Sequence, residues 1–164
     1  MRYSKIRKMD IADGPGVRVS IFMQGCSFNC KNCFNPETHD FAGGKEFTEE
    51  TINRVLELCD KDYVKGLSIL GGEPMHPKNI QGTTELAKCF KEKFPEKNLW
   101  VWSGFTFDKD LKDKEALKYI DVLVDGQYVD ELHNPKLEWR GSSNQRVIDV
   151  QKSLKANKVV LLNA

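Results

Sequence analysis

Three of the five cysteines in this 164-residue chain, Cys26, Cys30 and Cys33, lie within one stretch of eight residues. The stretch follows directly on residues 17–24, a run rich in β-branched and aromatic side chains that is predicted to be a strand. Thiolates are soft ligands for zinc, copper(I) and iron-sulfur clusters, and closely spaced cysteines are how such centres are held. The sequence therefore predicts a strand that ends in a metal-binding loop.

The C-x3-C-x2-C spacing favours one kind of centre over the others. A structural zinc site needs four protein ligands, so zinc here would require His39 or a distant cysteine in addition to the loop. A four-iron cubane held by three thiolates instead leaves one iron open to a substrate. We therefore expect a catalytic 4Fe-4S cluster on Cys26, Cys30 and Cys33, with zinc and unrelated thiols as the alternatives.

The rest of the chain alternates between short apolar segments and amphipathic ones. Strands are predicted at 66–70, 98–103 and 122–124, and helices at 48–59 (capped by Thr48), 80–94 and 108–119. This alternation indicates an α/β fold, and because the units are too few for eight strands we expect a partial (βα) barrel or a curved, mostly parallel sheet. The length predicts a single domain, 1–164. Segments 147–150 and 159–162 add edge strands, or 146–164 form a peripheral tail.

Composition excludes several classes of function. A formal charge of +1 gives no basic bias toward nucleic acid, and no apolar run is long enough to span a membrane. The odd cysteine count and the clustering of three of them do not fit a disulfide framework, so we expect a reducing, cytoplasmic location. Cys59 and Cys89 lie at apolar positions of predicted helices and are expected to be small buried residues.

Polar residues also follow the other predicted strands. Gly71-Gly72-Glu73-Pro74 comes after the second strand, Ser103 ends the third and Asp125 follows the fourth. The carboxyl ends of parallel strands share one edge of a sheet, so these residues are expected beside the cysteine loop. Each could equally be an ordinary strand-end turn.

The cysteine triplet resembles the signature of radical S-adenosylmethionine (radical-SAM) enzymes. The resemblance implies that the amino and carboxylate groups of SAM bind the open iron, and that the glycine and acidic motif holds the SAM amino group. The implied cofactor-binding residues are Asn32, Cys33, Phe34, Gly71, Gly72, Glu73, Ser103 and Asp125. Asn32 stands where many members have an aromatic residue, and Phe34 follows Cys33 instead.

A longer succession of motifs narrows the resemblance. In order, these are D-G-P-G at 13–16, C-F-N-P-E-T at 33–38, G-G-E-P at 71–74, W-V-W-S-G at 100–104, V-D-G at 124–126 and W-R-G-S-S-N-Q at 139–145. The succession is similar to the activating proteins of anaerobic (class III) ribonucleoside-triphosphate reductases, and R-G-S-S-N-Q is its most discriminating part. It implies that a 5'-deoxyadenosyl radical takes hydrogen from a glycine of the reductase, with flavodoxin or ferredoxin as a low-potential electron donor.

Other functions remain open from the sequence. An activator of another glycyl-radical enzyme, such as pyruvate formate-lyase, would share the cysteine loop, as would a small radical-SAM enzyme acting on a metabolite. A passive iron-sulfur or zinc module would explain the cysteines but not the strand-end motifs. The aromatic residues Phe105, Phe107, Tyr128 and Trp139 are candidates for contact with a protein partner, although aromatic residues beside strands often belong to the core.

Overall fold

The computed structural model describes residues 1–162 and contains one mixed sheet flanked by helices. The strands are β1 (Arg2–Asp10), β2 (Arg18–Gln24), β3 (Lys45–Glu46), β4 (Gly66–Gly71), β5 (Asn98–Ser103), β6 (Val122–Asp125) and β7 (Arg146–Asp149). The helices are α1 (Glu49–Cys59), α2 (Ile80–Lys93) and α3 (Val150–Ala156). The predicted α/β class is confirmed, as are the strands at 66–70, 98–103 and 122–124 and the first two helices.

The sheet is open, with strand order β3-β1-β2-β4-β5-β6-β7. Its four central strands, β2, β4, β5 and β6, pair in parallel. The three pairings toward the edges are antiparallel, so among the described residues the sheet is parallel only in its centre. The expectation of a mostly parallel sheet is corrected to this extent. The carboxyl ends of the four parallel strands nevertheless meet at one edge.

The two faces of the sheet bury different sets of side chains. Alternate residues such as Ile21, Ile69 and Val101 lie in the main core with α1 and α2. The opposite face carries a smaller cluster built around Trp100, with Trp102 packed against it. Cys59 is fully buried in the main core, as expected, whereas Cys89 is only partly buried and packs against that core. Burial raises the pKa of the Cys59 thiol to about 12, which keeps it protonated.

Strand β1 was not predicted, and a β-bulge explains why. Tyr3 and Ile6 both pack against the main core although they are three residues apart. The register shifts between Tyr3 and Lys5, which inserts one extra residue and changes the phase of the alternation. Lys5 and Arg7 consequently pair across from Phe22 and Ser20, on the face opposite the main core.

The predicted helix at 108–119 is wrong. The structure has a short π-helical turn at Phe107–Leu111 and a separate 3-10 turn at Glu115–Tyr119. Leu111 and Leu117 are both buried. Six residues apart, they would point about 120° away from each other on one α-helix, whereas two separate turns bring both to the core.

The final segment contains one further strand and a helix. β7 pairs with β6 and buries Ile148, and α3 begins at Val150 with Asp149 as its N-cap. The expected strand at 147–150 is thus present as β7, while 159–162 forms only an isolated bridge between Leu161 and Ile148. Within residues 1–162, no helix combines the length and the apolar character needed to cross a bilayer.

Candidate functional site

A cavity of about 570 Å³ opens at the carboxyl ends of the central strands. Ligand pockets for small molecules and cofactors commonly measure roughly 300 to 1,000 Å³. It is lined by Cys26, Cys30, Cys33, Phe34, Gly71, Gly72, Glu73 and Ser103 from the predicted site. The fold therefore brings eight of the predicted site residues to one place, and Asn32 and Asp125 are the two that do not line the cavity.

Backbone hydrogen bonds tie the beginning of the cysteine loop to the segment that follows it. Gly25 N donates to Thr38 O at 2.6 Å and Cys26 N donates to His39 O at 3.1 Å. The loop closes on itself where Cys33 N donates to Cys30 O at 3.2 Å. The three cysteines are therefore presented on a short anchored loop rather than on a free segment.

The chemistry of the donor set fits a thiolate-bound centre. All three cysteines are free and partly buried, and they line the same cavity. Burial raises the pKa of the Cys26 and Cys33 thiols, and the Cys30 side chain raises both further. Among the described residues, no three potential ligands are already gathered around a point, so metal binding must draw the thiols together.

His39, the fourth ligand in the zinc alternative, also lines this cavity. Its Nε2 atom is buried and has no hydrogen-bond partner in the part of the chain that the structure describes. The geometry thus places a histidine beside the three cysteines and does not by itself choose between zinc and a cluster.

Gly71 and Gly72 are glycines for steric reasons. Gly71 has φ +108°, and a Cβ there would lie 2.6 Å from Met23 N. A Cβ on Gly72 would lie 2.6 Å from Gly25 O and 2.7 Å from Thr38 O. The G-G-E-P turn therefore packs directly against the backbone that carries the cysteine loop.

Glu73 is the most buried carboxylate of the cavity, with 1% of its surface exposed. Its Oε2 accepts hydrogen bonds from Ser103 Oγ at 2.7 Å and Met75 N at 2.9 Å, and its Oε1 accepts one from Gly104 N at 2.6 Å. Burial raises the pKa of this carboxyl to about 7, although the three hydrogen bonds oppose the rise. Glu73 therefore joins the end of β4 to the end of β5.

Ser103 and Asp125 have different environments. Ser103 lines the cavity, and its hydroxyl accepts a hydrogen bond from Phe105 N at 3.1 Å. Asp125 is fully buried and binds Arg146, with Nε–Oδ1 at 3.0 Å and Nη2–Oδ2 at 2.6 Å. The Asp125 carboxylate also accepts from Phe107 N at 2.8 Å. In this structure Asp125 anchors β7 and the turn after β5.

Asn32 and Phe34 flank the last cysteine of the loop. Asn32 Nδ2 donates to Asp130 Oδ2 at 3.0 Å, so its side chain points to the segment after β6. Phe34 is 63% exposed and lies 5.0 Å from the ring of Tyr128. The segment after β6 therefore contacts the cysteine loop on both sides of Cys33.

Two residues with a place in the site went unnoticed in the sequence. Asn79 is buried and its amide donates to Gln24 O at 3.2 Å and Glu73 O at 3.0 Å, which ties the two cavity loops together. Arg7 lines the cavity and stacks 5.0 Å above the Phe22 ring. Asn79 precedes a helix and looks like an ordinary N-cap, while Arg7 lies on the strand that the bulge concealed.

The aromatic candidates for partner contact divide into two groups. Phe107 belongs to the buried main core, and Phe105 packs against that core and against Phe28 at 4.9 Å. Tyr128 and Trp139 line the cavity instead. Only the latter pair lies where an incoming ligand or polypeptide could reach them.

Comparisons with known proteins agree with the cysteine chemistry. The profile of a family described as "4Fe-4S single cluster domain" matches residues 12–148. The chain is 41% identical to the anaerobic ribonucleoside-triphosphate reductase-activating protein of Enterobacteria phage T4 over 147 residues, which covers 90% of this chain and 93% of the relative. Proteins of the same name from Vibrio cholerae and Escherichia coli K12 are 38% and 35% identical, covering 88% and 90% of this chain and 96% and 97% of the relatives.

Proposed function

The chain belongs to the family of anaerobic ribonucleoside-triphosphate reductase-activating proteins, and we propose that it activates such a reductase as a radical-SAM enzyme. In this proposal Cys26, Cys30 and Cys33 hold a 4Fe-4S cluster at the edge of a partial-barrel sheet. The observation that carries it is that three free cysteines and the G-G-E-P turn line one cavity at the ends of parallel strands.

When bound, the cluster would supply the difficult chemistry: one electron from its reduced form would split SAM into methionine and a 5'-deoxyadenosyl radical, and that radical would take hydrogen from a glycine Cα of the reductase to give 5'-deoxyadenosine and a glycyl radical. The chain's own task is to bind and orient. The cysteines leave one iron open to SAM, and the partly buried loop limits access of water to it. Gly71 and Gly72 let the turn that carries Glu73 pack against the backbone of the cysteine loop.

Glu73 is proposed to bind the amino group of SAM. Its carboxylate is held at a defined position by three hydrogen bonds, which is the preorganisation that a binding group needs. An N–H of the iron-bound amino group, donated to this carboxylate, would favour its ionised form. Ser103, which shares a hydrogen bond with Glu73, is proposed to lie beside the ribose.

The remaining proposed contacts have less support from the geometry. Asn32, Cys33 and Phe34 are proposed to flank the adenine, and Phe34 offers an exposed ring for this. The Asn32 side chain is directed to Asp130. A direct contact by Asp125 would require its carboxylate to release Arg146. These assignments remain predictions.

The partner is proposed to be the anaerobic ribonucleoside-triphosphate reductase, because every relative compared above is named for it. A low-potential donor such as flavodoxin or ferredoxin is proposed to reduce the cluster, which must lie near the low end of biological potentials. All five cysteines are free thiols, which supports a reducing, cytoplasmic location.

Anaerobic reconstitution tests the proposal directly. The protein with iron, sulfide, a reductant and SAM should release 5'-deoxyadenosine, and addition of the reductase should produce the electron paramagnetic resonance doublet of a glycyl radical. Absence of SAM cleavage would favour a passive iron-sulfur or zinc module. A doublet on pyruvate formate-lyase but not on the reductase would favour the other activator class.

Paired cysteine variants test the ligand assignment. Cys26→Ala should abolish the 4Fe-4S signal, SAM cleavage and the doublet, since one ligand of the cluster is lost. Cys59→Ala is the matched control, because Cys59 is buried in the main core away from the cavity. Equal loss of iron from both variants would contradict the assignment.

A further inference from the structure

The loop at 140–145, with the sequence R-G-S-S-N-Q, is largely occupied with holding itself in place. Gln145 Oε1 accepts hydrogen bonds from Gly141 N at 2.9 Å and Ser142 N at 3.1 Å, and Gln145 Nε2 donates to Gly126 O at 3.0 Å. Asn144 Nδ2 donates to Gln127 O at 2.8 Å. These bonds attach the loop to the segment after β6 and explain most of its polar residues, but they leave one charged member unexplained.

That member is Arg140, a partly buried cation that lines the cavity. Its Nη1 atom donates to Ser143 O at 3.3 Å and to Gln145 O, so the loop itself holds the guanidinium. Within residues 1–162, its Nε and Nη2 atoms make no hydrogen bond and Arg140 has no salt-bridge partner. The Nε and Nη2 hydrogens form a parallel pair that matches the two oxygens of a carboxylate.

The surroundings of Arg140 indicate where that carboxylate comes from. The neighbouring Gly141 packs so closely on Phe34 that a Cβ would lie 2.5 Å from the ring, and 3.1 Å from the ring of Tyr128. Phe34 is among the most exposed apolar side chains of the described residues. Arg140 therefore lies next to an exposed aromatic rim of the cavity, where a polypeptide could contact both.

In the proposed function the carboxylate of SAM binds the open iron, so the unpaired edge of Arg140 is available to a different carboxylate. We propose that Arg140 binds a carboxylate of the reductase, an Asp or Glu side chain on the segment that carries its glycine into the cavity.

This inference rests on the proposed function, so partner binding and SAM chemistry are to be measured separately. Arg140→Gln should weaken binding of the intact reductase to the cluster-loaded activator about tenfold or more, because a charge-assisted bidentate pair is lost. Equilibrium binding of SAM, and 5'-deoxyadenosine release without the reductase, should match the unaltered protein. Arg140→Lys should recover only part of the reductase affinity, since lysine keeps the charge but not the paired donors.

Arg54→Gln is the matched control, because Arg54 is exposed on α1 and does not line the cavity; it should leave both affinities unchanged. A loss of SAM affinity in Arg140→Gln as large as the loss of reductase affinity would assign the arginine to the SAM carboxylate and overturn the proposal. Unchanged reductase affinity would overturn it as well.

A second measurement needs no variant of the activator. Synthetic peptides spanning the glycine region of the reductase are titrated against the cluster-loaded protein, with each Asp or Glu replaced in turn by Asn or Gln. One replacement should lower the affinity about tenfold. If none does, the proposal is wrong even if Arg140→Gln fails to fold. If the protein binds these peptides but never cleaves SAM, the proposed function fails while the role of Arg140 stands.

Discussion

Burial of the Glu73 carboxyl should make the stability of the folded protein depend on pH. Burial raises its pKa from 4.5 to about 7, so the folded protein holds a proton that the unfolded chain releases. When folding raises the pKa of an acid, the folded protein loses stability as the pH rises. The loss is absent well below the pKa in the unfolded chain and is complete above the pKa in the folded protein. The full shift corresponds to about 3 kcal/mol of folding free energy above roughly pH 7.

The perturbation is Glu73→Gln, which removes the ionisable group while keeping the shape. The glutamine NH2 group faces the N–H of Met75, so the variant should be less stable than the unaltered protein by about 1 to 3 kcal/mol at about pH 5. Between about pH 5 and pH 8 the unaltered protein should lose about 2.5 kcal/mol relative to the variant. The difference in unfolding free energy between the two proteins should therefore become smaller, or change sign, as the pH rises.

Urea unfolding of both proteins without the cluster, followed by circular dichroism at several pH values, measures this difference. Comparing the variant with the unaltered protein cancels the contribution that other titrating groups make to the pH dependence. One of these is Asp13, whose pKa is also raised by burial, to about 7. A difference that stays constant across the pH range would refute the reasoning, because it would show that the Glu73 carboxyl titrates alike in the folded and unfolded chains.

Three further outcomes follow from the same contacts. Arg18→Met should cost about 2 to 4 kcal/mol in urea unfolding, since four acceptors bonded to this fully buried arginine lose their donor; an unchanged midpoint would contradict this. Gly71→Ala should destabilise more than Gly126→Ala by about 1 kcal/mol or more, because both have positive φ but only the first meets backbone at 2.6 Å; equal losses would count against the clash. If SAM donates an amino N–H to Glu73, binding at about pH 6 should release more protons from the unaltered protein than from Glu73→Gln, seen by calorimetry in two buffers, and equal release would argue against that contact.

Much of the fold could be predicted because local patterns and tertiary packing agree. Thr48 was predicted to cap the first helix, and its N–H donates to Thr51 Oγ1 at 3.0 Å at the start of α1. β5 has the predicted bounds because its four central residues, 99–102, are apolar, and Leu99, Trp100 and Val101 among them are buried on both faces of the sheet. Where the pattern was disturbed, prediction failed: the bulge near Lys5 concealed β1, and two separate turns replaced the helix expected at 108–119.

The burial of Arg18 could not be predicted from the sequence. Charged side chains are rarely fully buried, so the residue type argued against a place in the protein interior. In the structure its guanidinium donates to Ser68 Oγ at 2.8 Å, Pro15 O at 3.0 Å, Leu67 O at 3.0 Å and Asn98 O at 3.4 Å. These acceptors lie on three separate segments, and no local pattern could have shown that they converge.

The sequence by itself determined the chemistry that is available here, because the cysteine spacing, the double glycine and the acidic residue after it are local properties of the chain. The tertiary structure decided what each group faces. It brought Glu73 against Ser103, directed Asp125 to Arg146, and left one edge of Arg140 without a hydrogen-bond partner among the described residues. The reason is physical: residue type sets what a side chain can bind, but burial and hydrogen-bond partners come from segments that are distant along the chain.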